Sequence, residues 1–305
     1  MHPLREKFER ELRIRGRSER TIHAYVACIR ALMKHCQNRP PDKIADEEIR
    51  DWLHPMRAVR KLSASSLNVA VNAVRGFQAY VLGRDPAATL KGIPRCKRAT
   101  TRAEVYASSE MSRLLAAAPE GRDRAFLSTI YACGLRLAEA RHLQIADLDV
   151  ERGQLRVRRG KGCKERVLPL PLSLLELLRA YWRRDRRHRP DYFPGEKNAW
   201  LFAGQRPGQP ISKGTAQNIY LRAVRASGIK RKKGLHTLRH SFATHNLEGQ
   251  VEITAVQRML GHTSLTTTSR YLHVTAGRLE KIVSPLDLLK PPAPPAAVNP
   301  ASPAP

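Results

Sequence analysis

Apolar positions in the first ninety residues recur at helical spacing in four separate segments. The clearest stripe runs from Leu67 to Val81, where every third or fourth residue is apolar. Ser18 and Ser63 stand immediately before two of these segments, and a serine there caps a helix by accepting a backbone hydrogen bond from its first turn. This pattern predicts a bundle of four helices, each with one buried face, over residues 1–90.

The rest of the chain combines strand and helix periods. Residues 154–170 alternate apolar and basic side chains around the turn sequence RGKG, which predicts a β-hairpin. Helical spacing surrounds this hairpin, and its last two stretches cover Leu235–Leu247 and Val251–Leu260, the second closed by Gly261. We therefore expect a mainly α protein with a small β-sheet, of the α+β class.

Domain boundaries follow from where the periodicity stops. Residues 91–107 are basic, aperiodic and punctuated by proline and glycine, which is typical of a linker. A second domain is predicted over 108–289, and it ends in a short apolar helix that opens at Ser284 and packs either in cis or on a neighbouring subunit. The Pro/Ala-rich tail, 290–305, is predicted to be disordered.

The net charge of the chain indicates what kind of partner it binds. The 305 residues carry 55 Lys and Arg against 27 Asp and Glu, a net charge of +28, spread over both predicted domains. Such an excess favours a polyanion such as DNA. Ribosomal and chromatin proteins show the same balance, so charge alone leaves both a DNA enzyme and a bulk nucleic-acid binder open.

Cysteine usage and hydropathy bear on the cellular compartment. The five cysteines show no paired short spacing, which predicts reduced thiols without disulfides or a zinc ribbon. The N-terminus lacks the apolar core of a signal peptide, and no apolar run approaches the roughly 20 residues of a membrane span. We expect a soluble protein of the cytoplasm, associated with the nucleoid if its partner is DNA.

The residues best suited to chemistry lie between His236 and Tyr271. His236, Arg239 and His240 share one face of the predicted helix, and His262 follows the end of the next one. Arginine meets two phosphate oxygens with a fixed fork of donors, and histidine carries a proton near neutrality. Tyrosine becomes a nucleophile where cations favour its phenolate. The segment predicts half of a phosphoryl-transfer site for DNA.

Together with two earlier motifs, this segment resembles the tyrosine recombinases, the family of phage integrases and Xer-type recombinases. The family pattern is Arg, Lys, His-x-x-Arg, His or Trp, then Tyr. The resemblance covers about residues 5–289, with departures at Cys133 and Ala138, where the family carries no chemistry. The matching residues are Arg136 in CGLRLAEARHL, Lys161 in RRGKGCKER, His236 and Arg239 in HTLRHSFATH, His262 in LGHTS, and Tyr271 in SRYLHV.

This resemblance implies a fold and a mechanism. The fold is a SAM-like, core-binding domain of four helices followed by the catalytic domain. In the mechanism, Tyr271 attacks a DNA phosphodiester and forms a 3'-phosphotyrosyl bond, while Arg136 and Arg239 hold the non-bridging oxygens. Lys161 then protonates the leaving 5'-oxygen, and His236 carries the proton of the tyrosine.

Further expectations come from the same resemblance. His262 adds a donor to the phosphate, Glu139 supports Arg136, and His240 packs behind the site. The reaction needs no metal and no small-molecule cofactor, and it takes place in a synaptic tetramer on double-stranded DNA, without a membrane. The helical pattern begins near residue 3, which favours a simple two-domain, Xer-like or mobile-element recombinase.

Basic residues at helix ends or off the apolar stripes, in the predicted hairpin and in the segment KRKKG are candidates for phosphate contacts. In the N-terminal domain the resemblance favours this interpretation over a merely solvated surface, because that domain grips DNA in the family. The candidates along the chain are Arg17, Arg20, Lys61, Arg75, Arg158, Lys164, Lys213, Arg222 and Lys232.

Three alternatives stay open. A metal site of His236, His240, His245 and His262 is disfavoured, because the segment lacks the glutamate of an H-E-x-x-H helix and His245 lies on the opposite helical face. A type IB topoisomerase would use the same chemistry to relax DNA, and a non-catalytic DNA-binding protein would share the charge. The sequence leaves undecided the target DNA and the choice among integration, excision, resolution and transposition.

Overall fold

The chain folds as two compact units, Met1–Thr101 and Arg102–Pro305. The described part is mainly helical with one three-stranded antiparallel sheet, whose middle strand Gln154–Val157 pairs with Leu148–Asp149 on one side and Arg166–Pro169 on the other. This confirms the predicted α+β class. Among the helices described, none is long and apolar enough to cross a bilayer. The structure, a computed structural model, describes residues 3–85, 96, 104–158, 165–189, 198–230, 234–262 and 264–269.

The N-terminal unit is the four-helix bundle that the apolar stripes predict. Both serine caps are present: the hydroxyl of Ser18 accepts from the Thr21 N–H, and that of Ser63 accepts from the Ser66 N–H. The core lies between the helices, and it includes Phe8 and Phe77, whose rings meet edge-on. The helices are α1 Pro3–Ile14, α2 Glu19–His35, α3 Asp46–Ala58 and α4 Ala64–Val81, with a 3-10 turn at Pro41–Lys43.

Most of the segment predicted as a linker, 91–107, lies outside the described residues. Cys96 is held by the buried Asn68, which donates to the Cys96 carbonyl at 3.0 Å and accepts its N–H at 2.9 Å. Tyr106 is fully buried in the second unit, where its hydroxyl lies 2.6 Å from that of Tyr220. Specific side-chain contacts therefore fix both positions, and an aperiodic sequence does not reveal such contacts.

The second unit surrounds one helix that is buried on nearly every side. The elements of this unit are α5 Ser108–Ala117, α6 Arg122–Cys133, α7 Leu137–Arg141, β1 Leu148–Asp149, β2 Gln154–Val157, β3 Arg166–Pro169, α8 Leu172–Arg184, α9 Lys213–Ala226, α10 His236–Glu248, α11 Ile253–Leu260 and α12 Leu265–Thr268, with 3-10 turns at Ile145–Asp147 and Arg186–His188. The buried helix is α6, which contributes Phe126, Leu127 and Ile130 to the main core and packs against α8 and α10.

Helix α10 buries part of the face that its sequence predicts for His236, Arg239 and His240. Arg239 on that face is only 1% exposed, and Leu238 and Ala243 are fully buried. Both α6 and α11 pack against α10. The guanidinium of Arg239 therefore reaches its partners from inside the protein.

Gly134 ends α6 in the left-handed region, with φ of 58°, and a Cβ added there would overlap the ring of Phe242. We expect Gly134→Ala to lower the free energy of unfolding of the second unit by about 1–2 kcal/mol for the backbone conformation and by about 1–3 kcal/mol more for the overlap. Gly153, with φ of 61° and open space around its Cβ position, is the matched control. Gly153→Ala should incur only the backbone loss in a denaturant titration, and equal losses would contradict the packing argument.

Candidate active site

Arg136 and Glu139 are joined by the start of α7. Arg136 is the N-cap residue, and its backbone N–H donates to Glu139 Oε2 at 2.8 Å. Its Nη1 donates to Oε1 of the same carboxylate, also at 2.8 Å. The spacing of three residues therefore satisfies the helix end and orients the guanidinium at the same time.

Arg239 reaches the same place from α10. Its Nη1 donates to the carbonyl of Gly134 and its Nη2 to that of Leu260, both at 2.6 Å. Nη1 also lies 3.8 Å from Glu139 Oε2. Two arginines that are about a hundred positions apart in the sequence thus meet beside one buried carboxylate.

Arg166 is a third member of this cluster, and sequence reasoning missed it. Its Nη1 and Nη2 donate to the two oxygens of Glu139 at 3.0 Å and 2.8 Å, and its side chain is only 10% exposed. The alternation of side chains along β3 could have revealed that Arg166 is largely buried, because it shares a face with the buried Leu168, whereas Val167 is exposed. An arginine on the buried face of a strand needs a partner of opposite charge.

Three successive carbonyls at the end of α11 each accept a hydrogen bond from a different arginine of the cluster. The last carbonyls of a helix lack partners within it and form its negative pole, so they favour guanidinium groups. Gly261 ends α11 in the left-handed region, as its sequence predicts. The pairs are Arg166 with Met259 at 2.7 Å, Arg239 with Leu260 at 2.6 Å, and Arg136 with Gly261 at 3.1 Å.

His262 follows these carbonyls and contacts Arg239. Its Nε2 lies 3.2 Å from Arg239 Nη2, and its Nδ1 lies 2.9 Å from Thr268 Oγ1. Burial, and then the charges of Arg239 and Arg136, lower the pKa of His262 to about 4, so the ring is neutral at pH 7. Because an arginine only donates, Nε2 accepts and the proton stays on Nδ1. In this tautomer His262 orients Arg239, which differs from the donor role that the resemblance implies.

His236 is the first residue of α10, and its ring meets that of His240 edge-on, with centroids 4.5 Å apart. Burial, followed by the charges of Arg239 and Arg136, lowers the pKa of His236 below its usual value. A neutral imidazole beside two guanidinium groups is suited to accept a proton and pass it on.

His245 takes no part in this cluster. Its Nε2 lies 2.9 Å from the carbonyl of Tyr106, and its Nδ1 lies 2.8 Å from the hydroxyl of Tyr131. These contacts make it a packing residue, which agrees with its predicted separation from the other histidines. Within the described ranges, no three His, Cys, Asp or Glu side chains are grouped to hold a metal ion.

The cluster is strongly electropositive for a buried site. Burial alone would raise the pKa of Glu139, but the hydrogen bonds and charge of Arg166 and then those of Arg136 outweigh it and lower that pKa to about 2. Glu139 is therefore ionised, and its single negative charge faces the three positive charges of Arg136, Arg166 and Arg239. Two positive charges are left over, and such a site attracts an anion.

Comparison with known proteins agrees with this arrangement. Residues 104–278 match the model of the phage integrase family, and residues 4–87 match that of the phage integrase N-terminal SAM-like domain. The chain belongs to the phage integrase family. Since its relatives include proteins named tyrosine recombinases, it is a tyrosine site-specific recombinase.

Individual relatives extend over nearly the whole chain. A putative integrase/recombinase, y4qK, of Sinorhizobium fredii is 34% identical over 296 residues, which are 96% of this chain and 92% of that protein. Tyrosine recombinase XerC of Mycobacterium leprae is 33% identical and covers 91% of this chain and 96% of its own. Among solved structures, the XerH recombinase bound to a palindromic difH substrate is similar with a TM-score of 0.72, at 25% identity over 88% of this chain and 80% of that one.

Of the six candidate catalytic residues of this recombinase, the described structure contains four. It brings Arg136, His236, Arg239 and His262 together around Glu139. The other candidates, together with the last predicted helix, lie outside the described residues: Lys161, Tyr271, the DNA-contact candidates Lys164 and Lys232, and residues 284–289.

The described DNA-contact candidates of the recombinase differ in their partners and in their exposure. Two of them already hold acidic partners in the second unit: Arg158 is paired with Asp147, and Arg222 donates to Asp123 at 2.7 Å. Sequence reasoning did not foresee these pairs, since their acidic residues are 11 and 99 positions away. Arg75 is half-buried, and the exposed candidates are Arg17, Arg20, Lys61 and Lys213.

The depressed pKa of Glu139 makes its contribution to stability depend on pH. The contribution is fully present above the ordinary range of a glutamate, near pH 4.5, and is lost as the pH falls towards about 2. We expect Glu139→Gln to lower the free energy of unfolding of the second unit at neutral pH by on the order of 3 kcal/mol, with a difference that shrinks below pH 4.5. Urea titrations at several pH values measure it, with the exposed Glu151→Gln as control. A difference independent of pH would contradict the ion-pair explanation.

Proposed function

We propose that this recombinase cuts and rejoins double-stranded DNA through a covalent 3'-phosphotyrosyl bond to Tyr271. The observation that carries the proposal is the meeting of Arg136 and Arg239 beside His236 and His262, with positive charge in excess. A phosphodiester under attack gains negative charge on its non-bridging oxygens, and guanidinium forks already held in place stabilise that charge.

The proposed reaction needs no reagent besides the protein and the DNA. The hydroxyl of Tyr271 gives its proton to the neutral His236 and attacks phosphorus, while Arg136 and Arg239 hold the non-bridging oxygens. The bond from phosphorus to the 5'-oxygen breaks, and Lys161 supplies the proton that makes a 5'-hydroxyl. A 5'-hydroxyl from another strand then reverses the sequence, so the phosphodiester is restored without a cofactor.

In this proposal His262 holds the guanidinium of Arg239 in its present orientation. Its neutral ring accepts from Arg239, and Thr268 fixes the orientation of that ring. Direct donation from His262 to the phosphate belongs to the other tautomer, with the proton on Nε2.

DNA as the partner is supported by charge and by the relatives. The chain carries a net charge of +28, and the similar XerH structures are bound to difH substrates. We propose phosphate contacts for the exposed candidates Arg17, Arg20, Lys61 and Lys213, and a synaptic tetramer as the active assembly. Integration, excision and resolution share this chemistry. In each case we expect the recombinase to act at the nucleoid.

Tyr271→Phe tests the nucleophile. Nicked duplexes with a randomised centre trap a covalent intermediate, because the short strand that leaves carries away the attacking 5'-hydroxyl. We expect the wild type to form a protein–DNA adduct that survives denaturant, and Tyr271→Phe to form none while keeping its DNA affinity, since only the phenolic oxygen is lost.

Tyr25→Phe, in the N-terminal unit, is the control and should form the adduct normally. An adduct from Tyr271→Phe, or none from the wild type with any duplex in the pool, would overturn the proposal. The same samples exclude a purely DNA-binding protein, and relaxation of a plasmid without the selected site would indicate topoisomerase activity.

Arg136→Ala tests the phosphate clamp. Removing one donor that stabilises the transition state slows adduct formation by about 10²–10³-fold. The measurement is the single-turnover rate on a duplex selected from the pool, together with DNA affinity, and the exposed Arg152→Ala is the matched control. A slowing matched by an equal loss of affinity would place Arg136 in general DNA binding.

A further inference from the structure

The carboxylate of Glu139 is saturated with donors. Two carboxylate oxygens offer about four lone-pair sites, and four donors lie within 3.0 Å: the backbone N–H and Nη1 of Arg136, and the Nη1 and Nη2 of Arg166. Among the residues that the structure describes, the next cation is Arg239, whose Nη1 lies 3.8 Å from Oε2, beyond hydrogen-bonding distance. Arg166 therefore fills half of the acceptor capacity of this carboxylate.

We infer that Arg166 is a positioning residue that prevents Glu139 from drawing Arg239 away from the phosphate site. This inference rests on the proposed function, in which Arg136 and Arg239 bind the scissile phosphate. Without Arg166, a buried carboxylate has two acceptor sites without donors, and such sites are unfavourable until a donor fills them. The nearest cation that can move is Arg239.

Such a movement would break the present hydrogen bonds of Arg239. Nη1 would leave the carbonyl of Gly134, and the guanidinium would turn away from Leu260 and His262. The N–H groups of Arg239 that turned to Glu139 would also no longer be available to the phosphate. In this way Arg166 keeps the carboxylate of Glu139 from competing with the phosphate for Arg239.

The shape of Arg166 matters as well as its charge. Its fork takes both oxygens of Glu139 while Nε donates to the carbonyl of Met259 at 2.7 Å. One side chain therefore joins β3, α7 and the end of α11. Lysine has the charge but no planar fork and cannot repeat all three contacts.

The experiment compares Arg166→Gln, Arg166→Lys, Glu139→Gln and the double variant Glu139→Gln/Arg166→Gln, with Arg152→Gln as control. Single-turnover adduct formation on the selected nicked duplex should slow by about 10²-fold in Arg166→Gln, with unchanged DNA affinity, and by less in Arg166→Lys. In the Glu139→Gln background, Arg166→Gln should cause little further loss, because the competing carboxylate is already absent.

The pH profile gives a second readout that a purely structural role would not move. In the described part of the chain, the charged groups facing Glu139 are Arg136 from α7, Arg166 from β3 and Arg239 from α10, and His236 also senses its charge. With Arg166 gone, burial is opposed by fewer cations and the pKa of Glu139 rises. The adduct rate of Arg166→Gln should then begin to fall at a higher pH than that of the wild type.

An arm without DNA separates this inference from the proposed function. Titration with inorganic phosphate, followed by NMR of the His236 and His262 rings, should show about tenfold weaker binding in Arg166→Gln and wild-type binding in Arg152→Gln. If neither the wild type nor any variant forms an adduct, the proposed function fails. The phosphate titration still shows whether the loss of Arg166 weakens anion binding.

Three results would overturn the inference. One is a folded Arg166→Gln that matches the wild type in rate and in phosphate binding. Another is a double variant whose loss equals the product of the two single losses, because Arg166 would then act independently of Glu139. The third is a wild type whose rings do not respond to phosphate. Circular dichroism checks folding, and if Arg166→Gln is unfolded, Arg166→Lys and the double variant give the comparison.

Discussion

The catalytic unit depends on a carboxylate that has more positive charge around it than it can neutralise. Burial disfavours the ionised form of Glu139, yet Arg166 and Arg136 together keep it ionised. Arg136 and Arg166 also cap two of the last carbonyls of α11, and Arg239 caps the carbonyl between them. Arg136 and Arg166 are therefore each held by two kinds of negative partner, a carboxylate and the negative pole of a helix.

The fold followed closely from sequence where local rules decide it. Ser18 and Ser63 cap helices because a serine hydroxyl suits the N–H groups of a first turn, and Gly261 ends α11 because its backbone adopts a left-handed conformation. The family motifs located Arg136, His236, Arg239 and His262, and the structure brings these four together. Their chemical roles remain the subject of the proposal.

Long-range pairing is what the sequence could not supply. The partners of Arg166 are 27 and 93 positions away, and no local pattern specifies which buried carboxylate meets which arginine. Arg158 and Arg222 appeared as free surface cations for the same reason, although each pairs with an aspartate. The tautomer of His262 likewise follows only from the position of Arg239 in space. Strand alternation could have placed Arg166 on the buried face of β3 with Leu168, but only the folded chain shows why a charge belongs there.

The three carbonyls at the end of α11 have a consequence for how the enzyme is made. Arg136 lies 125 positions before the Gly261 carbonyl that it caps, and Arg166 lies 93 positions before that of Met259. A chain emerging from the ribosome therefore holds its arginines without their final anchors until synthesis has passed residue 261. A product that ends before residue 259 therefore lacks all three of these carbonyls and cannot hold the three guanidinium groups in this arrangement.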